Sequence, residues 1–290
     1  MRLEMLRDAI TYSWPLLAFL VLFPLFTLSR YMVGAEGAVF VCGLYALLPP
    51  VQLIALHLDQ VVFPLLSVSA ALLARLAIAR RSAFAAAGTA MVFQFAVFSS
   101  FALLFIAPFI AAPVAALRRG GIPIRPVGVF LLVVLLVEVC NRSFLGYDLI
   151  ERYHRAMDYH LAWIGWEGGL RDRIFLGFLN LGELVFWCGV PVSLLCMRGG
   201  FPLVTMPPWR WNEGTWMAGA LAATLFVLAF VGVTKSEIAR LWIFAMPFIC
   251  VVAARPLAGP DGGPDRTAAS GVLSLQLLTV FALKLWHDYP

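Results

Sequence analysis

The carboxylate of Asp59 is the side chain whose place in this sequence best fits chemistry. The stretch His57-Leu58-Asp59-Gln60 separates two long apolar runs and leaves almost no loop to solvate a charge. A carboxylate in such a place can bind a divalent cation or accept a proton from a hydroxyl group. The structural alternative is a helix N-cap, because Asp59 stands just before a helix that we predict to begin at Val61.

A second group of charges stands at the start of a late apolar run. It consists of Lys235, Glu237 and Arg240. Lys and Arg at a membrane surface can hold a lipid-linked phosphate, the Arg through two parallel hydrogen bonds, and Glu237 is placed to orient Arg240. The first turn of a helix adds free N–H groups that favour an anion. The same cluster would also serve simply to anchor a helix end among lipid headgroups.

The polar segment 142–174 is predicted to contain an amphipathic helix on the membrane surface. Trp163 and Trp166 are typical interface anchors. The apolar face of this helix is predicted from residues that recur at helical spacing, namely Leu149, Ile150, Tyr153, Met157, Leu161 and Ile164. On the polar face Glu151 and Arg155 stand one turn apart, which predicts an ion pair.

Five further side chains in or near this segment have residue types that can do chemistry. His154 and Asp158 are one helical turn apart and supply two ligands of a metal site, or else a solvated face. Cys140 is a candidate nucleophile, since a thiolate needs a nearby positive charge or a His. The carboxylates of Glu138 and Glu183 lie inside apolar runs, and we predict that they pair with Arg142 or Arg173 inside the bundle.

The composition decides which kind of molecule must position these groups. The chain has 290 residues, of which 62% are hydrophobic and 13% are charged, whereas a soluble domain has about 25% charged residues. A water-soluble globule, a disordered chain, a coiled coil and a nucleic-acid module are therefore excluded. The net charge of +5 is interpreted as an orientation signal, and residues 1–290 as a single integral membrane domain.

Apolar runs of about 20 residues predict the membrane-spanning helices. They cover 9–29, 37–56, 61–79, 126–144, 175–197, 214–233, 239–254 and 268–286. The first is interpreted as a span and not as a cleavable signal. The apolar stretch 84–117 is too long for one crossing, so we divide it at Ser99-Ser100 into two short helices. The predicted fold is an all-α transmembrane bundle with about ten crossings, plus one extracytoplasmic amphipathic helix.

Arginines predict the orientation of this bundle, because basic links stay on the cytoplasmic side. With about ten crossings one side receives Arg30, Arg75, Arg80, Arg81, Arg118, Arg119, Arg125, Arg198, Arg210, Arg255 and Arg266. The Asp59 link, the segment 142–174 and the Lys235–Arg240 corner then share the outer side, which we expect to be that of a bacterial plasma membrane. A single helix over 84–117 would reverse everything after it, and charge alone does not decide between the two.

Two stretches resemble the membrane-embedded GT-C glycosyltransferases, which use polyprenyl-phosphate sugars. In residues 44–117 a helix ending in Pro is followed by a short link that carries an Asp and opens an apolar helix with a basic end. Residues 232–254 are similar to a Gly-Glu-x-x-Arg-x-Trp-x-Phe-x-x-Pro pattern, with Ser236 in place of the Gly. Four positions match that pattern: Arg240, Trp242, Phe244 and Pro247.

The resemblance implies sugar transfer at a site on the extracytoplasmic face. Asp59 would correspond to the family's acidic residue of the second outer loop, which helps to bind a metal or the donor phosphate, and this role is favoured over that of a base. Lys235 and Arg240 would lie near that phosphate. The other predicted substrate-binding residues are His57, Gln60, His154, Asp158 and Glu237. A divalent cation is the expected cofactor, and the bilayer, the lipid-linked sugar and a second membrane subunit are the expected partners.

The chain departs from the family at its beginning, where GT-C enzymes carry an essential acidic residue in the first outer loop. Here only Glu4 and Asp8 are available, and both precede the first run. We therefore expect a truncated or divergent member, and the catalytic base stays unassigned. Two other functions remain open at this point. One is a non-catalytic carrier, flippase or assembly subunit for lipid-linked saccharides, and the other is a membrane transpeptidase that uses Cys140.

Overall fold

The computed structural model describes residues 18–53, 58–117, 121, 123–163, 168–231, 238–259 and 263–288, and over these ranges it is helical without a strand. The α-helices are α1 (Leu22–Ala46), α2 (Pro49–Leu53), α3 (Leu58–Ala79), α4 (Ala83–Ser99), α5 (Ala107–Leu117), α6 (Ile124–Leu145), α7 (Leu149–Trp163), α8 (Leu170–Cys188), α9 (Val190–Gly200), α10 (Pro202–Thr205), α11 (Glu213–Phe230), α12 (Ile238–Leu241), α13 (Met246–Ala254) and α14 (Arg266–Asp288). Short 3-10 turns lie at Ala18–Val21, Phe101–Ile106, Pro208–Arg210, Ile243–Ala245 and Arg255–Leu257.

The first helix, α1, is a hairpin of two antiparallel arms. Gly34 stands at its kink with φ 75° and ψ 178°, a backbone conformation that glycine adopts without steric cost. The Cys42 thiol donates to the carbonyl oxygen of Leu22 over 3.7 Å, although a straight helix would hold these residues about 30 Å apart. The turn between the arms falls in the link predicted between the runs 9–29 and 37–56.

One end of the bundle, the basic end, is defined by the arginine contacts of Arg75 and Arg266. Arg75 of α3 pairs with Glu213 at the start of α11 over 2.6 Å, and its guanidinium lies 3.4 Å from the ring centre of Tyr31. Arg266 at the start of α14 contacts Glu36, just beyond the α1 kink, over 3.3 Å. The kink of α1, the last turns of α3 and the starts of α11 and α14 are therefore at one level.

The other end, the cleft end, lies where α3 begins and α4 finishes. Leu58 is about 25 Å from Arg75 along the axis of α3, so the first turn of α3 is on the far side of the bundle from the basic end. Two ring contacts join the end of α4 to the segment around α7: Phe98 to Tyr147 at 5.0 Å and Phe101 to Tyr153 at 5.5 Å between centroids.

The neighbouring helices α3 and α4 run in opposite directions, since the end of α3 lies beside the start of α4. An apolar cavity of about 260 Å³ near the basic end is lined by the last turns of α3, the first half of α4, the body of α5 and the first turns of α6. Between α4 and the turn that leads into α5, Ser100 is extended, with φ −160° and ψ 133°. The break predicted at Ser99-Ser100 inside the stretch 84–117 is confirmed.

The predicted span 175–197 is wrong as a continuous helix. It is broken at Gly189, where φ is 80° and the helix axes bend by 115°. The Gln276 side chain of α14 fills the break, since its Nε2 donates to the carbonyl oxygens of Cys188 over 2.9 Å and Leu47 over 3.3 Å. A broken helix in an apolar surrounding needs such a partner for its freed backbone groups.

The buried helix α13 is the centre of the bundle. Every residue from Met246 to Ala254 is buried, and Phe248 stacks on Phe109 of α5 with the ring centroids 3.8 Å apart. Just before α13, the carbonyl oxygen of Phe244 accepts a 2.8 Å hydrogen bond from the hydroxyl of Ser67 in α3. The helix α13 and the turn before it are thus packed against α5 and α3.

Several helices have the length and composition of membrane spans. Among the described residues, five segments are long and apolar enough: Ala18–Ala46, Val61–Ala79, Ile124–Leu145, Glu213–Phe230 and Arg266–Trp286. The first of them, Ala18–Ala46, reverses at Gly34 and so consists of two shorter arms. The bent pair α8 and α9 would make a sixth, and three shorter apolar helices are Ala83–Ser99, Phe101–Leu117 and Ile243–Leu257. An all-helical chain with several such segments agrees with the predicted multi-pass membrane protein.

Candidate functional site

The surface helix α7 covers a cavity of about 310 Å³ at the cleft end, which we call the cleft. From α7 it is lined by Tyr153, Ala156, Met157 and His160, and from the bundle by Ser100, Phe101, Ala102, Phe105, Leu228, Val231, Leu241 and Trp242. Most of these side chains are apolar, and a hydroxyl, a phenol and an imidazole are the exceptions. A largely apolar cavity with a few polar groups suits an amphipathic small molecule.

The start of α7 is fixed by a carboxylate that the sequence analysis overlooked. Asp148 Oδ1 accepts hydrogen bonds from the backbone N–H groups of Ile150 over 3.0 Å and Glu151 over 3.1 Å. These backbone hydrogen bonds, helped by Arg142 at 3.4 Å, lower the pKa of Asp148 from its ordinary value. The signal was present, because Asp148 is followed three residues later by Glu151, as in a capping box.

The amphipathic character of α7 is confirmed in part. Glu151 and Arg155 form the predicted ion pair on its exposed face. Tyr153 and Met157, predicted for the apolar face, line the cleft, whereas Ile150 from the same predicted face is 70% exposed. The helix therefore uses one narrow stripe to contact the bundle.

Two carboxylates of apolar helices hold helix starts near the cleft end. Glu138 Oε1 accepts a 3.3 Å hydrogen bond from the N–H of Leu149, and Glu183 Oε1 accepts one of 3.2 Å from the N–H of Ile238. Of the two arginines predicted as their partners, Arg142 and Arg173, Arg142 contacts Asp148. Each Glu thus satisfies a backbone donor that the start of a helix leaves free.

The late charged cluster is described only at Arg240. This residue is exposed on α12 and immediately precedes Leu241 and Trp242, which line the cleft. The structure thus brings Arg240 and α7 to the same end of the bundle, as the sequence analysis required. Lys235 and Glu237 lie outside the described residues.

The predicted acidic link is described only in its backbone. α3 begins at Leu58, earlier than the predicted start at Val61, so Asp59 lies in the first helical turn and is not the N-cap. Its backbone is at the cleft end, with α7 and α12. His57 lies outside the described residues, and the side chains of Asp59 and Gln60 are not described.

The described side chains do not form a metal site. Among them no three His, Cys, Asp or Glu groups stand close enough together to hold an ion. His154 and Asp158 are both exposed on α7 and amount to two ligands at most. The cation predicted at Asp59 concerns a side chain that the structure does not describe.

Comparisons with known proteins leave the site to be interpreted from its geometry. No family model matches this chain, and neither a curated protein nor a solved structure matches it. Of the candidate nucleophiles, Cys140 is exposed on α6 and is not among the residues that line the cleft. The arrangement that carries the functional argument is therefore the cleft itself.

Proposed function

We propose that this chain is a GT-C-like membrane glycosyltransferase that moves a sugar from a polyprenyl-phosphate donor to an acceptor outside the cytoplasm. The observation that carries the proposal is the cleft beneath α7. The cleft is a largely apolar cavity, which suits the first isoprene units of a donor, and His160 is one of its few polar lining residues. The exposed Arg240 immediately precedes the lining residue Leu241. Asp59 begins a helix at the same end.

We propose a topology of about ten crossings for this enzyme. The two arms of α1 count as two crossings because the chain reverses at Gly34. The short helices before and after Ser100 also count as two crossings, because we propose that the chain reverses there as well. The basic end would face the cytoplasm by the positive-inside rule. The cleft would then open on the extracytoplasmic side, and we place the protein in a bacterial plasma membrane.

In the proposed reaction an acceptor hydroxyl attacks the anomeric carbon of the bound sugar with inversion. A new C–O bond forms, the bond from that carbon to the phosphate oxygen breaks, and the phosphate leaves with the electron pair. The hydroxyl proton passes to a carboxylate base. Arg240 and Lys235 would stabilise the charge that develops on the leaving phosphate, and Asp59 would help to hold the donor.

Filling the cleft tests this proposal directly. Ala156 lines the cleft, whereas Ala162 is exposed on the same helix and is not among the lining residues. We expect Ala156→Trp to reduce transfer from a polyprenyl-phosphate sugar in proteoliposomes by at least about tenfold, the effect of roughly 1.4 kcal/mol, and Ala162→Trp to leave it unchanged. Equal activity of the two variants would show that the donor does not bind in the cleft.

The acidic link is tested by Asp59→Asn. The substitution removes the charge but keeps the shape, so we expect transfer to be lost while the protein elutes and unfolds like the wild type. Retained activity of a folded Asp59→Asn protein would show that Asp59 takes no part in the site.

A second candidate is a non-catalytic carrier or assembly subunit for lipid-linked saccharides. It is favoured by one observation, namely that no carboxylate is among the described residues that line the cleft. In that case Ala156→Trp should weaken binding of the lipid-linked sugar, although the wild type transfers nothing. Co-purification of a second membrane protein that restores transfer would support this candidate over the enzyme.

A further inference from the structure

A separate cavity lies at the basic end, on the far side of the bundle from the cleft. It has a volume of about 280 Å³ and lies where the first arm of α1, the end of α9, the start of α11 and the turn after α13 meet. Its walls include the apolar side chains of Met32, Pro202 and Pro256, the amide of Asn212, and the guanidinium groups of Arg198 and Arg255. Nothing in the proposed function uses it.

Arg255 is held at this cavity by neutral oxygen atoms. Its Nη1 donates to the carbonyl oxygen of Gly199 over 2.8 Å, and its Nη2 donates to Thr215 Oγ1 over 2.8 Å. A Cβ at Gly214 would lie 2.9 Å from Nε, so the backbone passes close to the guanidinium only because residue 214 is a glycine. A third, longer hydrogen bond runs from Nη2 to Asn212 Oδ1 over 3.5 Å. A guanidinium has five N–H donors, so these three hydrogen bonds to neutral oxygen atoms leave two donors and the positive charge for another acceptor.

The described carboxylates at the basic end contact groups outside this cavity. Asp265 Oδ1 accepts hydrogen bonds from the backbone N–H groups of Thr267 and Ala268 at the start of α14. Glu213 pairs with Arg75 over 2.6 Å, and Glu36 contacts Arg266 over 3.3 Å. Arg198 is exposed and adds a second guanidinium to the same cavity. Among the described residues this cavity therefore has two positive charges and no negative one, and a concave surface with one sign of charge concentrates the opposite ion.

We propose that the cavity between Arg198 and Arg255 binds a phosphate group, carried either by a lipid headgroup or by a free ion. The planar guanidinium matches two phosphate oxygens, which gives a stronger and more directional contact than an ammonium group. Asn212 adds an amide at the rim, and Met32, Pro202 and Pro256 provide apolar walls for the carbon atoms of an ester. The site stands independently of the glycosyltransferase proposal.

The test uses the full chain in a neutral detergent and titrates it with two probes, dihexanoyl phosphatidylglycerol and inorganic phosphate, at constant ionic strength. Arg198→Gln is the informative variant, because Arg198 is exposed and lines the cavity, so its replacement should leave the fold intact. Arg80→Gln is the matched control, since Arg80 is exposed at the same end and does not line the cavity. Binding is measured by calorimetry and by the shift in Tm.

We expect saturable binding to the wild type and to Arg80→Gln, and dissociation constants about tenfold or more weaker for Arg198→Gln, as for the loss of one charge-assisted hydrogen bond. Tight binding of the phosphatidylglycerol probe alone would identify a lipid headgroup as the source, and equal binding of inorganic phosphate would identify a free ion. The proposal is overturned if neither probe binds the wild type, or if the two variants weaken binding equally.

Discussion

Asp148 is the residue that most directly determines whether α7 stays in place over the cleft. Its carboxylate accepts two backbone N–H groups at the helix start, and this contact lowers its pKa. A lowered pKa in the folded state means that the stabilisation is present above the ordinary Asp value and is lost as the pH falls through the lowered one. We therefore expect the first turn of α7 to loosen below about pH 4.

Hydrogen exchange at the amides of Ile150 and Glu151 measures this loosening, with protection compared at each pH. Asp148→Ala should abolish the protection at every pH. Asp148→Asn keeps a side-chain acceptor, so we expect it to retain protection at low pH. The hydrogen bond from the N–H of Leu149 to Glu138 is separate from this cap. Asp158→Ala, on the exposed face of the same helix, is the control. Protection in Asp148→Ala as strong as in the wild type would contradict the assigned cap.

Gln276 is the second residue with a sharp consequence. It is fully buried and donates to the carbonyl oxygens of Leu47 and Cys188. Gln276→Leu leaves both oxygens without this donor, so we expect a loss of about 2 kcal/mol of stability and a lower Tm. Thr279→Val, one turn further along α14, removes only a local hydrogen bond to Leu275 and should change Tm little. A similar Tm for both variants would mean that the break tolerates unpaired carbonyl oxygens.

At the residue scale the sequence predicts side-chain pairs better than contacts with the backbone. The Glu151–Arg155 pair follows from spacing alone, because residues one turn apart must face the same way. The contacts of Glu138 and Glu183 do not, since their partners are the N–H groups of Leu149 and Ile238. Every residue except proline offers such a group, and only the packing of the helices selects one.

At the scale of the elements, the break between α8 and α9 depends on a residue without a side chain. Gly189 has φ 80°, and a Cβ there would lie 2.7 Å from Oε1 of Gln276. We expect Gly189→Ala to destabilise the protein by at least about 1 kcal/mol. Gly182→Ala is the matched control in α8, where a Cβ meets nothing within 4 Å, and alanine favours a helix by about 0.5–1 kcal/mol.

We expect Gly189→Ala and Gly182→Ala to change the stability of the protein in opposite directions. Thermal unfolding in detergent is the measurement, with the Tm of Gly189→Ala lower and that of Gly182→Ala equal to or higher than the wild type. A Gly189→Ala protein as stable as the wild type would indicate a straight helix through residue 189, which is what the apolar run alone predicts.

The two breaks differ in how far the sequence reveals them. The stretch 84–117 is too long for one crossing and contains a polar pair, so its length points to Ser99-Ser100. The run 175–197 has the ordinary length of one span, and its break is stabilised by Gln276, 88 residues beyond Cys188. A contact at that distance along the chain leaves no local pattern in the run itself.

At the scale of the whole molecule, the composition and the run lengths predict the helical membrane bundle and the two ends that it separates. Gly34 reverses the chain inside α1, and the contact between Cys42 and Leu22 shows that the two arms of α1 are antiparallel. Arg75, Arg255 and Arg266 lie at one end of the bundle, and α7 and Arg240 lie at the other. The proposed binding of a lipid-linked sugar in the cleft requires α7 and Arg240 to lie at the same end.

Cysteine labelling in intact cells tests that division most directly. In a cysteine-free background, Tyr159→Cys on α7 and Arg240→Cys on α12 report the cleft end, and Arg80→Cys reports the basic end. With a membrane-impermeant maleimide, we expect the first two to be labelled in intact cells and Arg80→Cys only after the membrane is permeabilised. Labelling of Tyr159→Cys and Arg240→Cys from opposite sides, or of all three from the same side, would contradict the account.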